Sequence, residues 1–330
     1  MTNGKSIKKI AVFTSGGDAP GMNACVRAVV RTALYHGLQV TGIMRGYEGM
    51  IEGDFQNLTS QSVSNIIHRG GTILKTARSQ RFRTEEGMQQ AYRALRAERI
   101  DGVVAIGGDG TFKGATEFSS KYEIPFIGIP GTIDNDLFGT DFTIGYDTAL
   151  NTVIEAIDKI RDTAQSHERL FFIEVMGRDA GFIALNAGIA AGAEAVLIPE
   201  TVTDIRKLAE DLEGGWLRKK TSSIVIVAEG DDIGGAIEIS NKVKELLPDK
   251  YDIRVTILGH IQRGGNPTCS DRVLASRLGH AAVEALIHGK SNMMVGTVHD
   301  KIHFTPFEKA VKHHVSVDSE LLNLADVLSY

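Results

Sequence analysis

Apolar residues fall along this chain in short, nearly unbroken runs, separated by longer stretches in which they recur every three or four positions. The runs Ile10–Thr14, Val103–Ile106, Phe126–Ile129, Leu170–Val175, Ala195–Ile198, Ile224–Ala228 and Arg254–Leu258 are mostly rich in Val and Ile and read as strands. Asn23–Tyr35, Glu86–Arg96, Thr148–Arg161, Ile205–Leu212 and Arg272–Ile287 carry the helical period. The longest stretch without Lys or Arg, Ala180–Thr203, holds Asn186, Glu194 and Pro199 and reads as a helix followed by a strand rather than a membrane span. Strands alternating with helices, and apolar on both faces, predict an α/β chain of mainly parallel sheets covered by helices. No internal repeat or low-complexity linker marks a domain boundary.

Composition narrows the classes. The 330 residues allow about two domains, and 42% hydrophobic with 23% charged residues is the balance of a globular protein. A net charge of −5 argues against a nucleic-acid partner, which needs a clustered basic footprint. Cys25 and Cys269 are the only cysteines, so no disulfide framework is implied and a cytoplasmic location is expected. Lys5, Lys8 and Lys9 precede an apolar run too short for a signal peptide.

Glycines gather just after the strands, where α/β sheets bind ligands. Ser15–Asn23 follows the first run, Gly107–Thr111 the second and Pro130–Asp136 the third, so these three loops are expected to converge. A glycine turn leading into a helix offers backbone N–H groups to an anion. Gly16-Gly17 and Gly107-Gly108-Asp109-Gly110 have this form, and a carboxylate beside a phosphate cradle suits magnesium. The alternative is a pair of plain turns with Asp109 capping a helix. Asp134 and Asp136 offer a base and a metal carboxylate, or Asx-turn and capping duty. Gly4–Ser6 and Gly289–Ser291 imitate a Walker loop, but the first precedes any strand and the second has Glu284 at the leading glycine. No G-x-G-x-x-G fingerprint follows the first run, and His299 with His303 lacks a third metal ligand.

Thr14–Ala24 (TSGGDAPGMNA), Ile106–Thr111 (IGGDGT), Pro130–Asp136 (PGTIDND), Val175–Arg178 (VMGR) and Leu258–Gly265 (LGHIQRGG) together resemble the bacterial ATP-dependent 6-phosphofructokinases, in order and spacing, over nearly the whole chain. The resemblance implies two doubly wound, Rossmann-like domains. A larger ATP-binding domain takes 1–145 and 261–312, and a smaller fructose 6-phosphate domain takes 146–260 and 313–330. It implies that Gly17, Arg78, Gly107, Gly108, Asp109, Gly110, Thr111 and Gly114 hold ATP, with Asp109 and Asp136 serving Mg2+. It makes Asp134 the base on the sugar hydroxyl and Thr132 the holder of the transferring phosphoryl. Arg178, Met176, Gly177 and Glu229 line the sugar, while His260, Arg263, Arg169 and Arg254 hold its 6-phosphate, the last two from a neighbouring subunit of a homotetramer. Pyrophosphate-dependent relatives of the fold carry Asp at the position of Gly110 and Lys at that of Gly131, so ATP is the expected donor.

A second, effector site for ADP or phosphoenolpyruvate is implied at Arg27, Arg31, Arg161, Glu194, Arg218, Lys219 and Lys220. Arg27 and Arg31 are four apart on one predicted helix, hence on one face. Ser60 stands where the family usually has another Arg, which predicts a weak response to both effectors.

Overall fold

A computed structural model describes residues 7–167, 169–217, 223–248, 250–311 and 317–329. Its strands are β1 (Lys9–Thr14), β2 (Gln39–Ile43), β3 (Phe55–Leu58), β4 (Gly102–Gly107), β5 (Phe126–Pro130), β6 (Arg169–Val175), β7 (Ala195–Leu197), β8 (Ser223–Ala228), β9 (Asp252–Ile257), β10 (Met293–Val298) and β11 (Lys301–Pro306). Its helices are α1 (Met22–Tyr35), α2 (Gly46–Glu52), α3 (Glu85–Ala97), α4 (Asp109–Lys121), α5 (Tyr146–His167), α6 (Phe182–Ala191), α7 (Ile205–Leu217), α8 (Ala236–Leu246), α9 (Cys269–Ile287) and α10 (Ser319–Leu328). Every strand run named from sequence falls on a strand, and Ala180–Thr203 holds α6 and β7 as read.

The chain divides into two compact units, Met1–Thr148 with Arg263–Val315 and Ala149–Gln262 with Ser316–Tyr330. The larger is built on a seven-stranded sheet in the order β11-β10-β5-β4-β1-β2-β3. Its five central strands run parallel, and β3 and β11 close the two edges antiparallel. The strand order reverses beside β1, with β2 on one side and β4 on the other, so the loops leaving β1 and β4 meet at the switch point. On one face Phe13, Phe112, Phe118 and Phe126 are wholly buried, and burying each contributes about 1.5–3 kcal/mol. Tyr47 stacks on Phe82 at 3.9 Å between centroids, and Phe82 stacks on Phe118.

The smaller unit carries an all-parallel, four-stranded sheet ordered β7-β8-β6-β9. Leu170, Phe172, Val225 and Val227 bury one face against Leu212, Ile239 and Val243 of α7 and α8. Its edge strand β9 leaves Val255 and Ile257 exposed. Helix ends follow the side chains that precede them. Thr84 caps α3 by accepting from Gly87 N at 3.1 Å, and Thr268 caps α9 by accepting from Asp271 N at 3.2 Å. Among the described residues no helix is long and apolar enough to cross a membrane.

Candidate active site

In the larger unit the three predicted loops do converge. Ser15 N donates to Ile106 O at 2.9 Å, tying the β1 exit to β4, and Gly131 N donates to Gly107 O at 3.0 Å, tying the β5 exit to the same strand. A Cβ on Gly107 would collide with the Thr111 hydroxyl and lie 2.6 Å from Ser15 O, so the crossing tolerates only glycine. A Cβ on Gly108 would stand 3.7 Å from the Thr132 Cβ, which sets the β4 loop beside the Thr132 loop.

The two glycine turns differ. Gly16-Gly17 is a strand exit, and α1 begins only at Met22 behind Gly21, whose φ is 104°. The β4 turn runs straight into α4, with Gly108 as N-cap and Asp109 as first helical residue. Asp109 therefore does not cap α4. Its Oδ2 pairs with Lys113 Nζ at 2.7 Å, and its buried Oδ1 has no hydrogen-bond partner among the described residues. A buried carboxylate oxygen without a donor suits a cation. Among the described residues no cluster of three or more His, Cys, Asp and Glu side chains could cage a metal, His299 and His303 included. The donor set thus fits magnesium carried in on phosphate oxygens, with Asp109 as one carboxylate and Asp136, 6% exposed, as a second candidate in the same unit. Tyr47 buttresses this cradle. Its buried hydroxyl donates to Thr111 O at 2.6 Å, its ring abuts Gly114, and burial pushes its pKa up.

In the Thr132–Asp136 loop Thr132 and Asn135 both make turn contacts. Thr132 Oγ1 accepts from Asp134 N at 3.2 Å, and Asn135, with φ 52°, accepts from Thr143 N at 2.8 Å. Asp134 is 4% exposed. Asp271, at the start of α9, accepts from Gly145 N and Thr148 N at 2.7 and 2.8 Å and from the Thr148 hydroxyl, and burial raises its pKa. Arg263 Nη1 donates to Asp18 O at 3.3 Å beside Gly17, whereas Arg78 is exposed.

In the smaller unit Met176, Gly177 and Arg178 follow β6, and Glu229 follows β8. Glu229 Oε1 accepts from Gly177 N at 3.3 Å and Arg178 N at 2.8 Å, which fixes Arg178 in a left-handed conformation with φ 55°. Gln262, wholly buried between His260 and Arg263 in sequence, accepts from Met176 N at 3.2 Å and donates to Gly259 O at 3.0 Å. It joins the loop after β9 to the loop after β6, while His260 stands exposed on the intervening turn. Gln262 was not named from sequence, because its partner lies 86 residues away.

Arg169 and Arg254 do not join this group. Arg169 opens β6 and Met176 follows the end of the same 7-residue strand, a span of about 20 Å. Both arginines instead pair with Asp252 at 2.9 Å, one on each oxygen.

The effector residues are spread over both units. Arg27 and Arg31 lie on α1, and burial together with Arg31 holds the Arg27 guanidinium below its usual pKa. Ser60 follows β3 in the same unit. Arg161, on α5, donates to the carbonyls of Ala191 and Gly192 at the end of α6, where a cation suits the helix dipole. Glu194 precedes β7, and Arg218, Lys219 and Lys220 lie outside the described residues.

The phosphofructokinase family model matches residues 9–286. ATP-dependent 6-phosphofructokinase 1 of Thermus thermophilus is 58% identical over 323 residues, covering 98% of this chain and all of the relative. ATP-dependent 6-phosphofructokinase 2 of Bacteroides thetaiotaomicron is 57% identical, covering 98% of this chain and 99% of the relative. Among solved structures, phosphofructokinase from Saccharomyces cerevisiae superposes with a TM-score of 0.89 at 37% identity over 98% of this chain. This chain spans 48% of that longer yeast chain. A pyrophosphate-dependent phosphofructokinase from Marinobacter aquaeolei shares the fold, with a TM-score of 0.83, 24% identity and coverage of 98% of this chain and 91% of that one. With the glycine cradle and the Asp134 loop set side by side and the match running through both units, this chain belongs to the phosphofructokinase family.

Proposed function

We propose that this chain is an ATP-dependent 6-phosphofructokinase, moving the γ-phosphoryl of MgATP to the 1-hydroxyl of fructose 6-phosphate. The observation that carries this reading is the placement of the buried Asp134 loop directly against the glycine cradle that opens α4. Gly17, Arg78, Gly107, Gly108, Gly110, Thr111 and Gly114 hold the nucleotide, the backbone N–H groups at the α4 N-terminus facing its phosphates. Asp109 and Asp136 hold magnesium, which when bound neutralises phosphate oxygens. Asp134 takes the proton from the sugar 1-hydroxyl as that oxygen attacks the γ-phosphorus. The Thr132 hydroxyl, which accepts from Asp134 N, keeps its own hydrogen to donate to the transferring phosphoryl. Arg178 neutralises the charge passing between the two substrates. Met176, Gly177 and Glu229 line the sugar, and His260 and Arg263 hold its 6-phosphate through charge-assisted bonds.

ATP is the donor rather than pyrophosphate. Space is open around a Cβ at Gly110, while one at Gly131 would press to 3.0 Å against Ile106, so a lysine there requires Ile106 to give way by a few tenths of an ångström. A coupled assay of fructose 6-phosphate with ATP against pyrophosphate tests the reading. Turnover with MgATP, lost on chelating magnesium, is expected, and equal or greater turnover with pyrophosphate overturns it.

The larger domain (1–145 and 261–312) carries the nucleotide residues, and the smaller (146–260 and 313–330) carries Met176, Gly177, Arg178, Glu229 and His260. The active assembly is a cytoplasmic homotetramer. Arg169 and Arg254, at the far end of β6 from Met176, serve a neighbouring subunit's 6-phosphate. Mixed oligomers of Arg254→Ala and Asp134→Asn chains are expected to regain activity that neither parent has. ADP or phosphoenolpyruvate binds at Arg27, Arg31, Arg161, Glu194, Arg218, Lys219 and Lys220, and only weakly because Ser60 offers no guanidinium. Ser60→Arg is expected to strengthen the response to both.

A further inference from the structure

We propose that Thr143 is the positioning residue of the loop that carries Asp134, fixing Thr132 and Asn135 on either side of it. The inference rests on the phosphoryl-transfer reading above, since it concerns how the base of that reaction is aimed.

Thr143 is wholly buried, outside the motifs that carry the family resemblance, and seven residues beyond Asp136. Its hydroxyl donates to Thr132 O at 2.6 Å, and its backbone N–H donates to Asn135 Oδ1 at 2.8 Å. One residue thus grips the loop both before and after Asp134. Asn135 returns a third bond from its amide to Asp141 O at 3.2 Å, and its φ of 52° is a conformation that Asn tolerates. Inside the loop Asp134 N donates to Thr132 Oγ1 at 3.2 Å, so a shift of Thr132 moves the backbone of the base.

The segment holding Thr143 is itself anchored. Ile144 N donates to Pro130 O at 2.9 Å, and Gly145 N donates to the buried carboxylate of Asp271 at 2.7 Å. Restraint therefore runs from the start of α9 through Gly145, Ile144 and Thr143 into residues 130–135. A β-branched side chain suits this task because its χ1 rotamers are few. Phosphoryl transfer depends on positioning, and a misplacement of about 1 Å costs roughly 100-fold. Thr143 touches neither donor nor acceptor in this scheme, so its loss acts on turnover and not on substrate affinity.

The test compares Thr143→Val, which keeps the shape and removes the hydroxyl, with Thr143→Ser, which keeps the hydroxyl. Steady-state kinetics on the full chain are paired with amide hydrogen exchange across residues 131–136. Thr143→Val is expected to lose about 10–100-fold in kcat with both KM values within about threefold, and to exchange faster only in this loop. Thr143→Ser is expected to stay within about threefold of the parent in kcat. Should Thr143→Val fail to fold, Thr143→Ala reads the same hydroxyl with space opened instead. A hydroxyl-free variant with nearly parental kcat and unchanged exchange overturns the proposal, and so does Thr143→Ser as impaired as Thr143→Val. A parent chain that fails to phosphorylate fructose 6-phosphate overturns the functional reading instead, and the exchange comparison still decides whether Thr143 holds the loop.

Discussion

In the larger unit neutral groups tie the loops after β1, β4 and β5 to one another, namely Ser15 N to Ile106 O, Gly131 N to Gly107 O, the Tyr47 hydroxyl to Thr111 O and the Thr143 hydroxyl to Thr132 O, while the Asp271 carboxylate braces Gly145 at the end of the β5 loop. In the smaller unit carboxylates share that work with the Gln262 amide. Glu229 holds Gly177 and Arg178, Glu200 accepts from Gly181 N at 2.8 Å, Glu174 accepts from Ala236 N at 2.9 Å, and Asp231 accepts from the Thr203 hydroxyl at 2.7 Å. The contrast follows from what each unit presents. If the glycine turns receive a polyphosphate, as proposed above, anionic braces at those turns would repel it, and the Asp271 brace holds the end of the β5 loop most distant in sequence from Gly131. Loops that present Arg178 can be braced by carboxylates, and such charged bonds are also stronger, at about 1.5–3 kcal/mol against 0.5–1.5 for neutral ones.

The largest effect should come from Asp134, the base in the proposed reaction. Asp134→Asn is expected to lower kcat by roughly 10²–10⁴-fold with KM values little changed, by steady-state kinetics. A variant retaining more than about a tenth of kcat reduces Asp134 to a turn residue like Asn135. Next comes a direct breach of neutrality. Gly110→Asp meets nothing within 4 Å, so the fold should keep its Tm while the new charge lowers kcat/KM for ATP by about 10–100-fold. Undiminished use of ATP would show that charge near the cradle is tolerated.

Glu229→Gln addresses the other side of the contrast. The amide oxygen still accepts from Gly177 and Arg178, but without charge. The KM for fructose 6-phosphate should rise by about 3–10-fold and that for ATP should hold. An equal change in both would mean that the brace is not particular to the sugar loops. The smallest effect concerns the one trait the units share. Burial raises the pKa of Asp271 in the larger and of Asp231 in the smaller above the usual 3.8. Each holds its proton more tightly folded than unfolded. The stability linked to that proton is complete below 3.8 and is lost as pH rises through the folded value. Thermal melts on the acid side of neutrality should record this as a gentle slope, flattened by Asp271→Asn and Asp231→Asn.

Much of this was legible in the chain, and what was not has a common cause. β1, β4, β5, β6 and β8 announce themselves because parallel strands buried on both faces read as apolar runs. β2, β3, β10 and β11 go unnamed. QVTGI and FQNL mix polar with apolar residues, and KIHFTP forms an antiparallel edge exposed at most of its positions. The start of α4 hides inside a glycine motif that looks like a loop. The motif residues of the candidate site are local and therefore visible, but their braces are not. Nothing in the identities of Thr143, Gln262 or Asp271 reveals partners 11, 86 or 126 residues distant. Arg161 and Arg169 were visible as charges, yet their pairings with the α6 carbonyls and Asp252 are features of the fold alone.

The parallel pairing of β10 with β5, Met293 beside Ile127, has a consequence for how the chain is made. The four strands of the smaller sheet, β6 to β9, lie wholly between these two in sequence, so a chain emerging from the ribosome can finish that sheet first. Throughout that interval β5, buried at every one of its residues in the finished fold, presents an unpaired apolar edge. α1 likewise waits for α9, whose Gly279 packs so closely that an added Cβ would lie 2.7 Å from Ala28. Synthesis thus leaves the larger sheet to close after the smaller one, with the β5 edge open until Met293 arrives, and α10 of the smaller unit follows last.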